Sequence, residues 1–289
     1  DEVLGGTGLV EAGTYLAILG GTIAGGIIPG KIAGVGIIIV AIIGRVTAQS
    51  VPLAPPESDA PTAKMDWNIF RSSWRLVRDT MHIPRLFLAI MAISFFWGVG
   101  AVLGSIFPPM VKNAIGGDNT VATLFTAFFS IGIAIGSVAI NRMLNGTVSA
   151  KYAPISVIIM GLFVLDLWWT VSHWQPIGPE LIDWWQFLTL GYGERMIVDL
   201  LGISIAGGMF VVPLYAFLTT TVAKSQTART IAANNIVNSG AMVIGAVIYS
   251  LLVSAGVSIP DTLFMIAAAC LVSAWISWKL HKACDPVAV

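Results

Sequence analysis

Eight stretches of mainly apolar residues, each long enough to cross a bilayer, occupy most of this chain: 9–29, 32–48, 86–108, 120–141, 152–174, 200–222, 232–255 and 260–280. A hydrocarbon core takes about 20 such residues per helix, and helices satisfy every backbone N–H and C=O within one segment there. The pattern predicts an all-α polytopic membrane protein. With 56% hydrophobic and 10% charged residues and a mean hydropathy of +0.87, a soluble domain of 289 residues would lack the polar surface it needs.

The net charge is zero, but the basic residues fall on alternate connections. Arg45, Lys64, Arg71, Arg75, Arg78, Arg85, Arg142, Lys151, Lys224, Arg229, Lys279 and Lys282 would share one face. The other face keeps Lys31, Lys112 and Arg195 beside Asp118, Glu180, Asp183, Glu194, Asp199 and Asp261. The positive-inside bias puts the first face, and with an even number of spans both ends, in the cytoplasm. No basic run interleaved with aromatics points to a nucleic acid partner. Cys270 and Cys284 suggest neither a disulfide framework nor a metal site. A start at Asp1, so close to a span, suggests a piece of a longer chain.

The connection 49–85 opens with VPLAPPESDAPTAK, a Pro-rich polar stretch that reads as a linker between two spans (1–48) and six (86–282), with 283–289 as a tail. Behind it Asp66 is the expected N-cap, and Trp67, Phe70, Trp74, Val77 and Met81 recur at helical spacing beside Arg71, Arg75 and Arg78. Such a helix suits the headgroup layer, although packing on the bundle is the alternative. The connection from Gln175 to Asp199 has room for a short interfacial helix, and Trp168, Trp169, Trp174, Trp184 and Trp185 form the expected aromatic belt.

Polar residues at membrane depth must find a partner or line a wet cavity. Candidate stripes are Ser94, Ser105 and Pro108 in the third span, and Thr126, Ser130, Ser137 and Asn141 in the fourth. The sixth adds Ser204, Gly208, Tyr215 and Thr219, with Pro213 offering a kink. The seventh is richest, with Asn234, Asn235, Asn238 and Ser239 followed three turns later by Tyr249. Bonding helix to helix is one reading; holding a polar or zwitterionic headgroup is the other, favoured for the asparagine cluster. Two carboxylates lie within spans, Glu11 and Asp166, either suited to carry a proton or a coupling cation. No Lys or Arg within the spans is expected as their partner.

Catalysis finds no support, because His82, His173 and His281 sit at span edges, away from any nucleophile or ligand set. No Walker loop or dinucleotide glycine fingerprint is present either, so neither an enzyme nor an ATP-driven pump is expected, and no cofactor.

Four segments are similar to the bacterial lysophospholipid transporters of the major facilitator superfamily: GLVEAGTYLAILGGTIAGG at 8–26, SFFWGVGAVLG at 94–104, GGMFVVPLYAFL at 207–218 and ARTIAANNIVNSGAM at 228–242. The resemblance implies a fold of twelve helices in two halves, of which this chain would supply helices five to twelve. It implies movement of lysophospholipids such as lysophosphatidylethanolamine across the inner membrane to the leaflet where an acyltransferase, fused or associated, restores the second chain. It also implies a basic residue in the third span, where this chain has Gly104. On this reading Glu11, Asn234, Asn235, Asn238 and Tyr249 line the substrate cavity, with Asp166 a further candidate. Two alternatives stand beside it: a proton-coupled exporter of amphipathic drugs or metabolites on the same fold, and the membrane-anchoring part of a phospholipid acyltransferase.

Overall fold

The computed structural model describes residues 2–28, 30–52, 66–176, 178 and 180–284. Its helices are α1 (Glu2–Ile27), α2 (Gly30–Ala48), α3 (Ile69–Met81), α4 (Pro84–Met110), α5 (Asn119–Met143), α6 (Ala153–Ser172), α7 (Trp184–Thr189), α8 (Gly193–Thr220), α9 (Lys224–Ser254) and α10 (Leu263–Cys284). Among the described residues seven helical segments are long and apolar enough to cross a membrane. The eighth expected span is shorter, an apolar run of Ile32–Ala48 within α2, which meets little of the bundle and leaves Ile32, Val35, Ile37 and Val40 exposed.

Helix ends reach beyond the apolar stretches that announce them. Hydrophobicity marks where a helix meets hydrocarbon; hydrogen bonding continues into the headgroups. The sixth expected span therefore begins at Gly193, not 200, and the seventh at Lys224, not 232. The first extension carries Arg195 and Asp199 out of the expected loop and into α8.

α8 runs through the middle of the bundle, against α5, α6, α4 and α1. Its seam with α5 is made by glycines. A Cβ at Gly136 would stand 2.1 Å from the carbonyl oxygen of Ile205, and one at Gly208 would stand 2.5 Å from that of Ile133. Backbones this close leave no room for a side chain, the usual basis of small-residue helix packing. The serines of these two stripes lie along this seam. Ser130, Ser137 and Ser204 are buried and donate to the carbonyls of Thr126, Ile133 and Leu200 one turn back. These bonds have a simple cause: a serine hydroxyl can be satisfied by its own helix.

The aromatic face is tied together by short elements. A single π turn (Val111–Ile115) ends at Gly116 with φ +75°, and an isolated bridge pairs Gly117 with Ile182. Asp183 and Gln186 form a capping box on α7, the expected short helix. Trp184 and Trp185 remain open, but Trp174 departs from the expected belt: it is buried and donates from Nε1 to the Ile115 carbonyl at 2.8 Å. Trp168 donates to Asp261 at 2.9 Å.

α3 is capped by Asn68, whose side chain accepts from the Arg71 N–H at 3.0 Å. Asp66, the expected cap, accepts instead from the Asn68 N–H and pairs with Arg71 at 2.8 Å and Arg75 at 3.8 Å. Thr80 is buried, and a cavity of about 290 Å³ lies between this edge of α3 and Gln226, Arg229 and Thr230 of α9. Trp67, Phe70 and Trp74 stay exposed.

Candidate functional site

Where α4, α8 and α9 meet, polar side chains gather inside the bundle. Ser94, ten residues into α4, donates to Asn238 Oδ1 at 2.8 Å. Asn238 in turn directs its Nδ2 to the Tyr215 hydroxyl at 3.4 Å, and that hydroxyl also accepts from Trp97 Nε1 at 2.6 Å. At 1.5 Å per residue, Asn238 lies about 20 Å along α9 and Ser94 about 15 Å along α4, so the group sits within the spans. Asn234 stands one turn before Asn238, fully buried, and its Oδ1 accepts no hydrogen bond among the described residues. A buried amide oxygen without a donor is costly, by about 1–3 kcal/mol, and a bound donor would remove that cost.

The asparagines thus divide by helical spacing. Asn234 and Asn238 share the inward stripe, while Asn235 and Ser239 occupy the open side; Asn234 and Asn235 touch only through a long contact of 3.5 Å. Tyr249 is half-buried, about 16 Å further along α9. Glu11 lies in α1, and its side chain falls outside the described residues. Trp97 was missed in the sequence because tryptophan in an apolar run reads as filler; its N–H, which needs an acceptor when buried, was the available signal.

Asp166 is elsewhere, about 9 Å from the far end of α6. Contrary to expectation it has a basic partner, at a partly exposed edge of α6 and α8: Arg195 Nε donates to its Oδ2 at 3.0 Å, and Nη2 donates to Oδ1. The early start of α8 makes this pair.

Two cavities adjoin these elements. One of about 490 Å³ lies between α4, α9 and α10, with Ser94 at its polar edge and Phe95, Val99, Val102, Ile244, Met265 and Ile276 among its walls. Its surface is almost wholly apolar apart from that edge. The other, about 830 Å³, opens on the aromatic side between the end of α1 and Gly104, Pro108, Thr123 and Thr126 of α4 and α5. Gly104 faces open space there.

The fold defines an all-α polytopic membrane protein. No family model matches the chain. It is similar to curated bacterial proteins named Lysophospholipid transporter LplT: that of Escherichia fergusonii is 28% identical over 97% of this chain and 67% of its own length. That of an Enterobacter species is 28% identical over 90% of this chain and 61% of its own length. That of Citrobacter koseri is 29% identical, again over 90% of this chain and 61% of its own length. The resemblance carried by the four sequence segments is to these same transporters. The chain spans about two thirds or less of the length of these relatives.

Proposed function

We propose that this chain is part of a secondary transporter that moves lysophospholipids across the bacterial inner membrane. One observation carries the reading: a polar cluster with an unsatisfied buried amide stands next to a cavity that is otherwise apolar. A lysophospholipid has that division, one polar head and a single acyl chain. The head would meet Asn234 beside Ser94, Asn238 and Tyr215, and the chain would lie between α4, α9 and α10. The relatives' names support the same substrate.

The wider arrangement is part of this proposal. Residues 1–48 would complete an N-terminal half and 86–282 form the C-terminal half, matching helices five to twelve of a major facilitator fold. The basic connections and both ends of the chain would face the cytoplasm. There α3, with its open Phe70 and Trp74 beside three arginines and the open Trp67 just before its cap, would lie in the headgroup layer of the 49–85 connection. The tail 283–289 would approach a fused or associated acyltransferase. The larger cavity, on the opposite side, would admit the substrate.

The test is a leaflet assay. The full-length protein in liposomes is expected to carry labelled lysophosphatidylethanolamine from one leaflet to the other, and excess unlabelled lysolipid is expected to compete. Movement of an amphipathic dye that lysolipid does not inhibit, without movement of lysolipid, would favour the exporter reading and overturn this one.

A further inference from the structure

Arg195 and Asp199 stand one turn apart near the start of α8, and both reach the same residue of α6. Arg195 spends its fork on Asp166, Nε to Oδ2 at 3.0 Å and Nη2 to Oδ1, and lays its guanidinium over the Trp169 ring at 4.5 Å. Asp199 faces the Asp166 carboxyl at hydrogen-bonding range, with the buried Thr170 beside it. It is 1% exposed, and its Oδ2 has no hydrogen-bond partner among the described residues. The charges acting on it are Asp166 from α6 and Arg195 from its own helix. Tyr192 stands next to Arg195, and His173 lies behind Trp169.

Two acids therefore share one cation, and the cation is already committed. Were both ionised, a second carboxylate would be buried against a like charge, and adjacent carboxylates do not both ionise readily. A metal ion would need more oxygen ligands than this, and among the described residues no third acidic, histidine or cysteine side chain joins them. A proton needs one oxygen.

We propose that Asp199 is a proton-binding site, and that Asp166 sets its occupancy by holding or releasing Arg195. With Arg195 on Asp166, a proton from the aqueous phase on the aromatic side adds to Asp199 and brings the triad from net −1 to neutral. If Arg195 turns to Asp199, that proton passes to Asp166 and the net charge is unchanged. The site lies about 9 Å inside α8, and the same helix carries Tyr215 of the polar cluster beyond Pro213. Protonation and rearrangement of the cluster would share one helix. The proposal stands whatever substrate the protein moves.

The test is labelling by a hydrophobic carbodiimide, which attacks protonated carboxyls, on the full-length protein in liposomes, with the sites located by mass spectrometry. At neutral pH Asp199 is expected to be labelled at least about tenfold more than Asp166, a ratio equivalent to one pH unit between them. Labelling is expected to fall at alkaline pH and to be indifferent to sodium. Asp166→Asn frees Arg195 for Asp199 and is expected to lower its labelling about tenfold. Arg195→Gln is expected to extend labelling to higher pH. An unlabelled wild-type Asp199 at neutral pH, saturable protection by sodium, or an Asp166→Asn protein labelled like wild type would each overturn the proposal. The wild-type pH profile decides even if a variant fails to fold.

Discussion

Ser94 and Asn238, 144 residues apart in sequence, share a buried hydrogen bond of 2.8 Å that joins α4 to α9. Both helices run the same way past it, and Gly98 meets Ala241 one turn further on. The bond fixes the register of the wall along which the apolar cavity lies.

Breaking this contact is expected to loosen the wall by a modest amount. Interhelical hydrogen bonds in membranes contribute about 0.6 kcal/mol on average and up to about 1.7, so Asn238→Ala is expected to lower stability by roughly 1 kcal/mol. A double-mutant cycle with Ser94→Ala, read by thermal unfolding in detergent, is expected to show coupling because the two side chains share one bond.

Asn234 is expected to behave differently. Its Oδ1 gives up no hydrogen bond on removal, so Asn234→Ala is expected to leave thermal stability unchanged or raised. Transport of lysolipid is expected to fall about tenfold or more, equivalent to about 1.4 kcal/mol of lost head contact. Asn235→Ala, on the open side of α9, is expected to alter transport far less. A stability loss at Asn234 with transport intact would make it a packing residue.

The glycine seam gives a third expectation. Gly208→Ala puts a methyl 2.5 Å from the Ile133 carbonyl oxygen, and α5 and α8 must move apart to admit it. Overpacking of this kind costs about 1–3 kcal/mol, and reduced yield of folded protein in gel filtration checks it. Gly104→Ala, facing open space, is expected to be tolerated.

At the surface, Asp66 offers a pH signature. The hydrogen bond from Arg71, then that from the Asn68 N–H, holds its carboxyl down to about 2 from an ordinary 3.8. A lowered folded value means that its support of the α3 start is complete above about 3.8 and is lost as pH falls through about 2. Amide exchange in the first turn of α3 is therefore expected to be insensitive to Asp66 protonation between neutral pH and about 5, and to be faster in Asp66→Asn throughout that range.

Much of this fold was legible in the sequence because bilayer physics is blunt: apolar runs must be helices, and those at 86–108, 120–141 and 152–174 lie within or nearly within α4, α5 and α6. The amide residues were legible as costly, which singled out Asn234, Asn235 and Asn238 alike; only packing sets Asn235 apart on the open side of α9. Their partners were not, because Ser94 and Tyr215 reach them only through helix packing that no spacing encodes. The same limit hid the Asp166 pair. Arg195 follows the turn TLGYGE and reads as a loop residue until α8 is seen to start at Gly193, although its spacing of four from Asp199 was a signal available in the sequence. For serines 130, 137 and 204 both readings stayed open in the sequence, since a polar stripe and a seam of small residues share one periodicity.

The most direct measurement is photocrosslinking with lysophosphatidylethanolamine that carries a diazirine midway along its acyl chain, in liposomes containing the full-length protein. The account predicts labelled peptides from α4, α9 and α10 around Phe95, Ile244 and Met265, with labelling reduced by Asn234→Ala and by excess unlabelled lysolipid. Labelling confined to the outward faces of α2 and α5, unchanged by competitor or by that substitution, would show the lipid only bathing the protein and would contradict the site.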